Sequence, residues 1–295
     1  MEKLSVGMIV LASLFYLNGC NSNQSKKKTD GFQYNDSTKL SDIEVTKSFI
    51  YLFPSPGDVL ERFYEAEIPY LPEFLHDPDQ ADSYLTQQDK ALNMGVYLAD
   101  IAYTALFYRT TEAVEYLDAI QDLGGELNIS STAFESLIKR AKNNIGIRDS
   151  LVSLSNDVFY NMVDFLENSG QEHTVAVISF GAYIESMYLA VNSLETYEEG
   201  HPVIQQIREL KYPMENLMNQ AESESDNEDV QAVLRYIDEL SKIYSEIAEE
   251  KTTAKVTEPG VINLSKKKAQ PLSENNFKDV KESAIAIRQK IVETN

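Results

Sequence analysis

Two carboxylates stand where charge is costly. Between residues 91 and 108 the one charged side chain is Asp100, and between 174 and 194 it is Glu185. A carboxylate inside an apolar segment persists only if it is paired or hydrogen-bonded. Tyr97 and Tyr103 lie three residues either side of Asp100, and Tyr188 lies three after Glu185. On a helix, residues three or four apart share a face. One chemistry these residues fit is recognition. Asp100 and Glu185 would be the polar groups of a pocket between two helices, with Tyr97, Tyr103, Tyr183 and Tyr188 as its aromatic walls, taking a small ligand or a peptide. The same residues better fit a buried hydrogen-bond network closed on itself, with Arg140 or Arg148 as counterion.

Other chemistry finds less support. Two of the three histidines follow a glutamate at the spacing of di-iron bundles, Glu73-x-x-His76 and Glu198-x-x-His201. In such bundles the motif sits mid-helix and points inward, whereas here Pro78 and Pro202 place both at helix ends. No metal site and no cofactor are therefore expected. The chain has no HExxH, calcium loop, phosphate loop, dinucleotide glycine fingerprint or G-x-S-x-G elbow. Nothing selects a glycosidase pair among the 47 acidic residues. No catalytic residue is assigned, and an unrecognised hydrolase is the least supported function class. Tryptophan is absent, which disfavours a sugar-stacking platform.

The N-terminus is a targeting signal to be set apart from the fold. After Met1-Glu2-Lys3, residues 4–17 are apolar apart from two serines and a glycine. That run is shorter than the ~20 residues a spanning helix needs. Leu17-Asn18-Gly19-Cys20 follows. This resembles the lipobox of bacterial lipoproteins, and the resemblance covers about twenty residues. It implies cleavage before Cys20 and acylation of Cys20, giving a membrane partner through lipid. Cys20 is the one cysteine in the chain, so no disulfide framework is available. The absence of aspartate after Cys20 (Asn21 stands there) leans, by the same resemblance, toward the outer rather than the inner membrane. Residues 20–39, with Lys26-Lys27-Lys28, are too polar to pay the entropy of ordering and read as a tether.

The elements that must position Asp100 and Glu185 are helices. Glycine and proline are scarce, at 12 and 9, and apolar residues recur with helical period between clear stop signals. Helices are expected over about 56–67, 82–108, 111–123, 131–144, 148–168 and 171–194. Another opens at Pro202 and is kinked or split by Pro213, and further ones cover 226–250 and 273–293. The organisation is a signal peptide (1–19), a lipidated tether (20–39), a helical domain (40–250), a linker (251–272) and a C-terminal helix (273–295) that packs on the core or docks a partner. The fold class is all-α, an irregular bundle of about seven to nine helices. Segments 91–108 and 174–194 are apolar on all sides, which marks central helices. Gly95-Val96-Tyr97-Leu98 aligns with Gly181-Ala182-Tyr183-Ile184, a hint of internal duplication. Glycine at these positions suits two helices that cross closely.

The net charge of −21 argues against nucleic acid, whose backbone demands cations. The chain as a whole resembles helical lipoproteins of Gram-negative envelopes, a likeness of type that transfers no site. The expectation is a non-catalytic, lipid-anchored cell-envelope protein that binds or assembles with an envelope protein partner. The alternative is a small-ligand or peptide binding protein using the tyrosine–carboxylate pocket.

Overall fold

The computed structural model describes residues 53–129, 132–143, 148–247, 252–258, 261–266 and 272–293. The expected signal peptide, Cys20 and the expected tether lie outside the described residues. The architecture is an all-α multi-helix bundle. Its helices are α1 (Pro56–Glu65), α2 (Gln87–Leu106), α3 (Thr110–Glu126), α4 (Thr132–Asn143), α5 (Arg148–Asn168), α6 (Glu172–Asn192), α7 (Pro202–Glu209), α8 (Lys211–Ser223), α9 (Glu228–Ser245) and α10 (Glu274–Val292).

Local chemistry sets the helix starts. Ser55, Thr86, Asn227 and Ser273 each accept a backbone N–H of the first turn of α1, α2, α9 and α10, which satisfies a donor that has no intrahelical partner. Pro213 acts as expected but displaces the break. A proline ring clashes with the carbonyl four residues back; α7 ends at Glu209, and Pro213 falls in the first turn of α8, where an N–H would be unpaired in any case.

At the centre α2 crosses α6. Every residue of α2 from Ala91 to Leu106 is buried. A Cβ on Gly95 would stand 2.0 Å from the Ile178 carbonyl oxygen, and one on Gly181 2.0 Å from that of Leu92. The two contacts are reciprocal: each glycine meets the carbonyl of the residue three before the other. The relation that aligns Gly95 with Gly181 therefore also aligns Leu92 with Ile178, and the crossing is locally two-fold. By length and composition α6 would span a membrane, but it is buried within the fold and serves as a core helix.

The stripe Phe277, Val280, Ala284, Ile287 and Ile291 of α10 is buried, so this helix packs on the core, against α6, α9 and α2. Between α9 and α10 the sequence reads as a linker. There the structure has an antiparallel pair of strands, β1 (Thr252–Glu258) and β2 (Val261–Lys266), with Ala254 opposite Leu264 and Val256 opposite Ile262.

Residues 66–86, between α1 and α2, form a strap with two 3₁₀ turns, Pro72–Phe74 and Pro78–Ser83. Tyrosines of α2 and α3 hold it by its backbone. The Tyr103 hydroxyl donates to Pro69 O at 2.8 Å and accepts from Leu71 N–H at 3.1 Å. Tyr97 donates to Asp77 O at 2.9 Å, and Tyr116 to His76 O at 2.8 Å. An irregular segment laid over a core must find partners for its peptide groups, and here tyrosine hydroxyls supply them.

Candidate functional site

The structure brings Asp100 and Glu185 together under the strap. Both are fully buried and stand within hydrogen-bonding reach of each other. The counterion is Arg288 of α10, whose Nε donates to Glu185 Oε2 at 2.9 Å and whose Nη2 donates to Oε1 at 3.4 Å. Arg140 instead lies on the surface near Asp157. The guanidinium of Arg288 also sits over the Tyr188 ring, 4.7 Å from its centroid, and Phe74 meets that ring edge-on.

Burial pushes the Asp100 carboxyl well above the ordinary carboxylate range, and the neighbouring Glu185 raises it further. Burial also raises Glu185, but the Arg288 fork opposes that rise. Burial works against the charge of Arg288, yet the two carboxyls hold it above its ordinary value. The arrangement that satisfies all three is a neutral Asp100, an ionised Glu185 and a charged Arg288. Asp100 Oδ2 accepts the His76 backbone N–H at 3.2 Å. Asp100 Oδ1 receives no hydrogen bond among the described residues, and a proton on the carboxyl makes Asp100 a donor to Glu185. One buried ion pair remains, with no uncompensated charge.

His76 completes the cluster. Its ring stacks on Tyr97 with centroids 5.3 Å apart, and Nε2 shares a hydrogen bond with the Tyr84 hydroxyl. Burial, and then Arg288, lower its pKa to about 4, so the imidazole is neutral. His201 stands apart and caps α7 by accepting Val203 N–H at Nδ1. Among the described residues no three His, Cys, Asp or Glu side chains are grouped to hold a metal.

Of the expected aromatic walls, Tyr97, Tyr103 and Tyr188 surround the carboxylates, and Tyr183 does not. Its hydroxyl donates to Leu210 O at 3.1 Å beside buried Tyr244, which donates to Ile207 O. Tyr183 is two residues from Glu185, so the two side chains leave opposite sides of α6. Tyr97, Tyr103 and Tyr116 spend their hydroxyls on the strap. These groups bond to one another and to the backbone of the strap. Sequence reasoning missed Arg288, although it lies four residues after Ala284 and three before Ile291, a charge within the apolar stripe.

An open cleft lies elsewhere, between α1, α5, α7 and α8, with a volume of about 590 Å³. Asp58, Glu61, Glu65 and Glu209 line it together with one cation, Arg62, and its aromatic residues are Phe63, Tyr160 and Tyr212. Asp58 is committed to structure: Oδ2 accepts Ser55 N–H at 3.1 Å and the Tyr160 hydroxyl at 2.6 Å. Arg62 lies 4.0 Å from Glu209. Gln206 and Asn216 add neutral amides, and Val59 and Leu210 an apolar floor. None of these lining residues is His, Cys or Ser, so a Ser–His or Cys–His pair is not assembled from them. Compared with protein-family models, curated proteins and solved structures, the chain matches none.

Proposed function

We propose that this chain is a non-catalytic binding component of a bacterial cell envelope, held to a membrane by lipid on Cys20 and engaging its partner through the cleft between α1, α5, α7 and α8. The observation that carries the proposal is where polar chemistry is closed and where it is open. Asp100, Glu185 and His76 are buried, Arg288 is largely so, and their polar groups engage chiefly one another and the strap, so the cluster acts as a clasp joining α2, α6, α10 and the strap. Among the described residues the cleft is an open polar surface, and its volume lies within the range of about 300–1,000 Å³ usual for ligand sites.

The alternative, a ligand pocket between α2 and α6, requires α10 to withdraw Arg288 before a ligand could reach Glu185. That opening would leave a buried carboxylate unpaired, at a cost of about 3–5 kcal/mol. The cleft demands no such rearrangement.

Two measurements test the proposal. Fractionation of cells carrying the full chain or Cys20→Ser should find the first with the membranes and the variant in the soluble fraction. Equal partition would remove the anchor. Chemical crosslinking in intact envelopes, followed by mass spectrometry, should return one partner joined through residues of α1 or α8. Crosslinks scattered over all faces would contradict a defined binding surface.

A further inference from the structure

We propose that the cleft takes a short peptide segment carrying lysine or arginine. This deepens the reading above and rests on the cleft being the binding surface.

Charge gives the first argument. Four carboxylates and one guanidinium line the cleft, and of the carboxylates Asp58 is held by Ser55 N–H and Tyr160. Glu61 and Glu65 stand exposed on successive turns of α1, and Arg62, the one cation, is drawn toward Glu209. A cleft with low-dielectric walls and one dominant sign of charge concentrates counter-ions, and the net charge of −21 steers cations in the same direction.

Shape and side-chain chemistry give the second. Tyr212 is 53% exposed at the cleft, an unusual cost for a large ring and a fit for an alkylammonium or guanidinium against its face. The buried Val59 and Leu210 offer apolar surface to the aliphatic stem of lysine or arginine. Gln206 and Asn216 carry both donors and acceptors, which match peptide N–H and C=O groups and have no use for a bare polyamine. Cation, aliphatic stem and peptide group together describe a basic peptide.

The test is fluorescence anisotropy of a labelled penta-lysine peptide titrated with the full chain. Penta-glutamate, a Gly-Ser pentapeptide and spermidine serve as competitors. The variants are Glu61→Lys/Glu65→Lys, Tyr212→Ala, and the distant pair Glu115→Lys/Asp122→Lys on α3, which changes net charge equally. All five positions are exposed, and circular dichroism confirms folding of each variant. The proposal expects saturable penta-lysine binding, weakened at least about tenfold by the Glu61/Glu65 reversal and severalfold by Tyr212→Ala. The distant pair should alter it by no more than about twofold, as screened charges do. Equal losses in both double variants would reveal diffuse attraction and overturn the proposal, as would failure of penta-lysine to bind. A Gly-Ser peptide that binds as tightly and is lost with Tyr212→Ala would overturn the cationic preference and leave the cleft as binding surface. Spermidine binding as tightly as penta-lysine would overturn the peptide assignment.

Discussion

The proton on Asp100 and the fork of Arg288 make different demands on substitution. Asp100→Asn keeps a neutral side chain with a donor for Glu185, so it should cost less than about 1 kcal/mol. Arg288→Met strands the Glu185 carboxylate in the core and should cost about 3–5 kcal/mol, while Glu185→Leu/Arg288→Met, with both charges gone, should recover much of it. Denaturant unfolding of these variants measures the differences. The pH dependence has two opposing parts. The pKa of Asp100 is raised in the folded state, so its contribution is complete below the unfolded value of ~3.9 and is lost as pH rises toward the folded value. The pKa of His76 is lowered to about 4. Its contribution is complete above the unfolded value of ~6.5 and is lost as pH falls toward 4. Relative to Asp100→Asn, the wild type should therefore lose stability from about pH 4 upward, and relative to His76→Gln it should lose stability below about pH 6.5. Equilibrium unfolding at stepped pH checks both. At this scale the sequence was legible where spacing was helical: Asp100 with Tyr97 and Tyr103, and Glu185 with Tyr188. It misled at Tyr183, two residues from Glu185, and offered His76 only as a metal motif with Glu73, because its place beside Asp100 depends on a strap without periodicity.

The α2–α6 crossing depends on two missing side chains. Gly95→Ala or Gly181→Ala puts a Cβ 2.0 Å from a backbone oxygen, which must push the helices apart. The cost should reach or exceed about 3 kcal/mol, the upper end of overpacking effects. Gly125 in α3 has nothing within 4 Å of a Cβ, so Gly125→Ala should instead stabilise by about 0.5–1 kcal/mol. Thermal unfolding of the three variants gives the comparison. For the strap, Tyr103→Phe leaves the Pro69 carbonyl and the Leu71 N–H without their partner and should cost about 1–3 kcal/mol. Amide exchange should show the loss concentrated in residues 66–86. The helices and their breaks were legible because capping residues and prolines act within one or two turns. The strap was not, since its contacts with α2 and α3 are long-range. The β1–β2 pair was passed over although Pro259-Gly260 separates two runs containing Val256, Ile262 and Leu264, a hairpin signal weakened by Lys255 and Asn263.

Across the whole molecule the clasp is buried and the cleft is open. Arg288 brings the C-terminal helix onto the central crossing and pairs with the buried Glu185, whereas the α1–α8 side carries an open polar cleft. That cleft could not be read from sequence. Glu61 and Glu65 look like any solvated helix face, and Tyr212 like any core aromatic, until α7 and α8 are placed beside α1. The most direct test puts a photocrosslinking benzoylphenylalanine at position 212, and separately at position 108, where Tyr108 is also exposed but lies outside the cleft. In intact envelopes, irradiation from position 212 should give one discrete adduct, competed by penta-lysine, with none from position 108. The same adducts from both positions, or none from 212, would contradict a binding protein that works through this cleft.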